Sequence, residues 1–252
     1  MYNIIVHSPL EQFEINTILA LSIGWVDLSF TNSSLSTLIS VIITSIIAIC
    51  SVYKSKIIPT RWQSVIEMLY LFVYNIMSEQ IGTKGKKYFP IIFTIFLFVL
   101  VNNILGMIPY NFTSTSHIVT TYGLSLSIFL AATIIGFRLH GWYFLSLFVP
   151  SGIPMFLAPL IVIIEVVSYL SRSISLGVRL AVNMFAGHTL LKIMATFSMQ
   201  LFGLGGLLTI AGLVPLTLLF ALSGLEILIA FLQAYVFTVL TSSYLGDSIN
   251  LH

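Results

Sequence analysis

Charge is what this sequence has least of. Only 7% of its 252 residues are Asp, Glu, Lys or Arg, against the roughly 25% ordinary in soluble domains. Hydrophobic residues make up 58%, and the mean hydropathy is +1.07. That composition excludes a soluble domain and defines a polytopic membrane protein. Cysteine is nearly absent as well. Cys50 stands alone within an apolar run, which excludes an intramolecular disulfide and a cysteine-based metal site. No lysine or arginine precedes Lys54. The opening residues, MYNIIVHSPLEQFEI, lack both the Arg-rich character of a transit peptide and the basic start of a secretory signal. Basic runs are missing, and a net charge of +2 argues against nucleic acid as a partner. With no internal repeat and no linker, a single domain over 1–252 is expected.

The apolar runs set the architecture. Residues 1–34, charged only at Glu11, Glu14 and Asp27, read as a peripheral arm. The uncharged stretch 35–53 is close to the ~20 residues that a 30 Å hydrocarbon core requires and is expected to be the first transmembrane helix. Lys54, Lys56 and Arg61 follow it and mark the inner face by the positive-inside rule. Over 60–81 the pattern changes. Trp62, Val65, Ile66, Leu69, Phe72, Val73 and Ile76 recur at three and four residues, which predicts an amphipathic helix lying on the inner surface. Lys84, Lys86 and Lys87 keep that segment inside. A crossing over 88–108 then runs outward, with Asn102 and Asn103 near its far end and Pro109 as its stop; His117 beyond it reads as a solvated loop residue.

A return helix over 122–137 ends at the interfacial cluster Arg138, His140 and Trp142, and Pro150, Pro154 and Pro159 punctuate the loop that follows. The segments 159–200 and 207–245 are too long for the bilayer, the first reaching about 60 Å as a helix. They must tilt, kink or run partly along the membrane. Gly203, Gly205 and Gly206 form a turn between them, making an antiparallel hairpin. The fold expected is an all-α membrane protein of about five embedded helices and one surface helix, amino terminus outside and carboxyl terminus inside.

The few charges inside these spans are then the informative residues, because an ionised group at mid-bilayer costs roughly 2.5 to 3.5 kcal/mol on insertion scales. Glu165, Arg172 and Arg179 are spaced by sevens and share one helix face, which Asn183 extends by a turn; His188 faces elsewhere. On the last helix Glu226, Gln233 and Asp247 form a second stripe. A hairpin closing at the glycines sets His188 beside Glu226 toward the outer half, Gln233 level with Arg179, and Asp247 near Glu165 toward the inner half. The polar groups are discontinuous: two clusters separated by an arginine. An arginine keeps its proton, and a positive charge drives a facing carboxyl to ionise. Each residue has a plainer reading too. Arg172 either pairs with Glu165 or reaches for the interface. His188 and Glu226 either carry protons or form a buried hydrogen-bonded pair, and Asn183 and Gln233 either join them or only pack helices. Asp247 is either part of the inner cluster or a solvated end residue.

The motifs SLGVRLAVNMFAGH and LEILIAFLQAYVFTVLTSSYL, with FLFVLVNNILGMIPY and HGWYFLSLFVPSGIP, resemble the subunit a family of the rotary proton-translocating ATP synthase. The resemblance covers most of the chain. It implies a non-enzymatic, proton-conducting stator without a cofactor, facing carboxylates of a c-subunit ring and held by peripheral-stalk and other membrane-sector subunits. Arg179 matches the family's essential arginine, Asn183 and Gln233 its polar neighbours, and Glu165 and Asp247 its matrix-side acids. His188 and Glu226 stand where bacterial members commonly carry the reverse pair. That order resembles mitochondrial members, implying a mitochondrial inner membrane, and the start SPLEQFEI resembles fungal ones. Two other readings compete with the stator. A stand-alone proton-coupled transporter ordinarily shows an internal repeat, which is missing. A quinone-reacting respiratory subunit holding haem needs an intramembrane histidine pair, which is not visible.

Overall fold

A computed structural model of the chain describes residues 10–20, 22–23, 26–27, 29–52, 56–108, 111–149 and 157–250. Lys54 as an inner-face marker, Pro109 as a helix stop, and Pro150 and Pro154 as punctuation lie outside the described residues. The helices are α1 (Asn32–Val52), α2 (Arg61–Gln80), α3 (Phe89–Gly106), α4 (Ile118–His140), α5 (Ala158–Leu204), α6 (Leu207–Ala211) and α7 (Leu213–Ile249). Five of the helical stretches are long and apolar enough to cross a membrane: Asn32–Cys50, Thr83–Gly106, Ile118–Phe148, Pro159–Leu204 and Thr209–Ile249.

The arm is more ordered than its composition implied. Strand Thr17–Leu19 pairs antiparallel with Phe30–Thr31, and Ser22–Ile23 with Val26–Asp27. A single turn, Glu11–Phe13, carries the Phe13 ring onto Phe185 of α5, with centroids 4.7 Å apart. Helix α1 attaches by a hydroxylated edge rather than an apolar one. Ser36, Ser40 and Thr44 follow one another at four-residue spacing; Ser40 and Thr44 are buried, and the Ser36 hydroxyl donates to the Phe112 carbonyl at 2.9 Å. Its aliphatic residues, Ile42, Ile46 and Ile49 among them, stay outside, as a lipid-facing surface requires.

Helix α2 is amphipathic and docks by the second half of the expected face, where Leu69 and Phe72 also pack against the core. Val73, Ile76 and Met77 are buried, while Trp62, Val65 and Met68 remain exposed, so only its second half docks. Its partners there are α3 and α7, whose Ile92, Phe96 and Phe237 complete a core that also takes Leu176 and Leu180 from α5. Helix α4 starts four residues earlier than the 122–137 pattern and ends three later. The hydroxyls of Thr120 and Thr121, loop-like in sequence, bond back to the His117 carbonyl and so join the helix. His117 itself is half-buried, its ring stacked on Phe112 at 5.1 Å, and burial holds its imidazole below the ordinary value. The solvated position expected for it is therefore corrected.

Helix α5 is one unbroken helix of 47 residues, about 70 Å long. Like α7, at 37 residues, it exceeds the hydrocarbon thickness. Gly203 is still helical. The turn falls at Gly205 and Gly206, whose φ values of 70° and 66° suit glycine, and α6 lengthens the tip before α7 begins.

Candidate functional site

Helices α5 and α7 approach closely at Gly187, and small residues are how helices meet where lipid provides no hydrophobic drive. Three polar rungs span the pair. Nearest the glycine tip, Glu226 lies against Gly187, where a Cβ would stand 2.5 Å from Oε1 and 3.1 Å from Cδ. Next, the Asn183 amide donates to Gln233 Oε1 at 3.0 Å. Toward the α7 carboxyl end, Arg172 pairs with Asp247 Oδ2 at 3.5 Å.

This register differs from the one expected. Gln233 meets Asn183, a turn beyond Arg179, and Asp247 meets Arg172, two turns from Glu165. Glu226 keeps the place expected for it beside His188, so the difference grows toward the α7 carboxyl end.

The first rung opens on a cavity of about 220 Å³ lined by Asn183, Gly187, His188 and Glu226, with Met107 of α3 and Leu190 at its edges. Glu226 Oε2 and the Gln233 amide nitrogen are buried without hydrogen-bond partners, the first on a residue that lines this space. His188 and Glu226 thus share one chamber. Asn103 of α3, fully buried, donates to the Ala230 carbonyl at 3.2 Å and holds α7 at this level.

The third rung is open. The side chains of Arg172 and Asp247 keep 45% and 38% of their surface exposed. Tyr169 and Tyr244 stand within electrostatic reach of both, and the Tyr169 hydroxyl bonds Thr133 of α4 at 3.1 Å. Glu165, one turn further, makes no hydrogen bond or ion pair among the described residues. Between the two ends lies Arg179. It is exposed on α5 and, among the described residues, has neither an ion-pair partner nor a hydrogen bond. No carboxylate among the described residues neutralises it.

Gly187, Met107, Asn103, Tyr169 and Tyr244 escape charge-based reading, since none is ionised at neutral pH. A signal existed for the tyrosines. Tyr169 follows Glu165 by four residues and Tyr244 precedes Asp247 by three, the spacings that share a helix face.

A membrane-embedded helical hairpin that holds titratable groups in two places, with a bare guanidinium between them, defines a protein that handles charge within the bilayer. The chain belongs to the ATP synthase A chain family, whose model matches residues 34–246. It is 49% identical over 248 residues to ATP synthase subunit a of the red alga Chondrus crispus, covering 98% of each chain. The corresponding proteins of the liverwort Marchantia polymorpha and of Rhodospirillum rubrum are 45% and 47% identical, covering 97% and 98% of this chain and 99% and 100% of theirs. Such a spread of sources does not single out fungi or mitochondria. Membership makes the chain a proton-conducting subunit of the ATP synthase membrane sector rather than a stand-alone enzyme.

Proposed function

We propose that the two polar regions are offset half-paths for protons, serving carboxylates of a c-subunit ring that faces Arg179. Protons enter past His188, Glu226 and Asn183, with Gln233 fixing the Asn183 amide. They pass to a ring carboxylate and, after nearly a full rotation, leave past Glu165 and Asp247, near Arg172. Arg179 separates the paths and keeps the facing carboxylate ionised. The observation that carries this reading is the bare guanidinium. A charge within a span calls for a counter-charge, and among the described residues this chain supplies none to Arg179.

The membrane in this reading is the mitochondrial inner membrane, with the amino terminus in the intermembrane space and the carboxyl terminus in the matrix. Its support is the order of His188 before Glu226 and the clustering of Lys56, Arg61, Lys84, Lys86, Lys87 and Arg138 at one level of the topology. The likeness of SPLEQFEI to fungal members supports a fungal source. Peripheral-stalk subunits hold the chain against the torque of the ring. Arg179→Ala, assayed for ATP-driven proton pumping in membranes, is expected to abolish coupled pumping; unchanged pumping overturns the proposal.

A further inference from the structure

We propose that a cationic pocket at the membrane rim, beside the carboxyl end of α7, binds the phosphate headgroup of an anionic glycerophospholipid. It is formed where the turn Thr83–Tyr88 meets the ends of α4 and α7. Lys84, Lys87, Tyr88, Leu139, His140 and Ile249 line a space of about 330 Å³.

Its depth in the bilayer follows from its walls. The span Thr83–Gly106 begins at the pocket, and the last turn of α4 ends there, so the space lies at the level of lipid headgroups. Trp142 and Tyr143, 86% and 72% exposed, follow α4 directly and are the amphipathic rings that favour this level. The back of the pocket is pinned: His140 Nε2 bonds the Ile249 carbonyl and the Asn250 amide donates to the Ile81 carbonyl, each at 3.2 Å. Gly246 closes the same corner, since a Cβ there would stand 2.9 Å from the Gln80 carbonyl oxygen.

The chemistry left over is positive. Lys84 and Lys87 are exposed and, among the described residues, make no ion pair or hydrogen bond. Lys86 and Arg138 add charge close by in sequence, and the Asp247 carboxylate, two residues before Ile249, is paired with Arg172. Two ammonium groups and the Tyr88 hydroxyl supply donors for phosphate oxygens. Exposed Leu139 offers an apolar wall for an acyl chain. A proton path is excluded by the same charges, and a water-soluble anion makes no use of the apolar wall. A phospholipid satisfies both halves of the pocket, as basic pockets between membrane helices do for acidic headgroups.

The test uses the assembled ATP synthase in nanodiscs, with photoactivatable phosphatidic acid and phosphatidylcholine of identical acyl chains as probes and the labelled peptides mapped. Phosphatidic acid is expected to label the peptides containing Lys87 or Leu139. Lys84→Gln with Lys87→Gln should lower that labelling by about tenfold or more, as expected from removing two surface charges. The double arginine variant should retain it, and ATP-driven pumping verifies that each complex is assembled. Equal labelling by phosphatidylcholine overturns the proposal, as does labelling that survives the double glutamine variant. Displacement by inorganic phosphate, or labelling confined to a neighbouring subunit, overturns it too. Neither lysine belongs to the half-paths proposed above, so failure here leaves that reading untouched.

Discussion

The two ends of the α5–α7 hairpin carry similar residue types and treat them differently. Near the glycine tip, a carboxyl, an imidazole and the Asn183 amide line a chamber, and Glu226 Oε2 is buried without a partner. Near the α7 carboxyl end, an arginine and an aspartate form a half-exposed ion pair among tyrosines. The first arrangement keeps its polar groups between the helices, whereas the second presents charge at the surface. One helix pair therefore holds two unlike polar environments, with Arg179 on α5 between them.

The comparison can be broken most severely at the enclosed end. Glu226→Gln removes the chamber's titratable carboxyl while keeping its shape, and proton-pumping rate should fall on the order of 100-fold, the lower part of the range for losing a proton-transferring group. A rate within twofold of the parent would remove Glu226 from the path. Gly187→Ala tests the same chamber by volume. The added methyl group overlaps the Glu226 carboxyl, and overpacking of this kind typically costs about 1–3 kcal/mol. Pumping should drop by about tenfold with the complex still assembled, as read by its yield after purification.

The middle rung is expected to give a smaller effect, visible in stability more than in rate. Asn183→Leu leaves buried Gln233 without its partner, at a cost of about 1 kcal/mol. Adding Gln233→Leu should recover part of the lost thermal midpoint, and a further equal loss would show that the hydrogen bond is not the coupling. The smallest change belongs to the open end. An ion pair this exposed is worth little by itself, so Arg172→Gln should slow pumping by no more than about threefold. A loss as large as that of Glu226→Gln would mean that the two ends are not different in kind.

How much of this was legible depends on what membranes penalise. Long apolar runs located α1, α3, α5 and α7 within a few residues, because hydrocarbon thickness leaves little choice. The buried charges and amides were visible for the same reason. Three features were not. The strands of the arm are two or three residues long and too short to show a period. The start of α4 was hidden because Thr120 and Thr121 look like loop until their hydroxyls find helix carbonyls. Partner choice across the hairpin was hidden because spacing along one helix says nothing of its register against another. Arg172, unassigned from spacing, pairs with Asp247. Gly187 was hidden because its role is to lack a side chain.

The central claim is that a fixed positive charge keeps the enclosed and open ends from joining. Its most direct measurement is passive proton flow through membranes stripped of the catalytic sector, with the c-ring cross-linked so that it cannot turn. Parent membranes should be proton-tight under these conditions, whereas Arg179→Ala membranes should leak, because a stationary ring carboxylate can then exchange protons with both ends. Equal tightness in the two preparations would contradict the account.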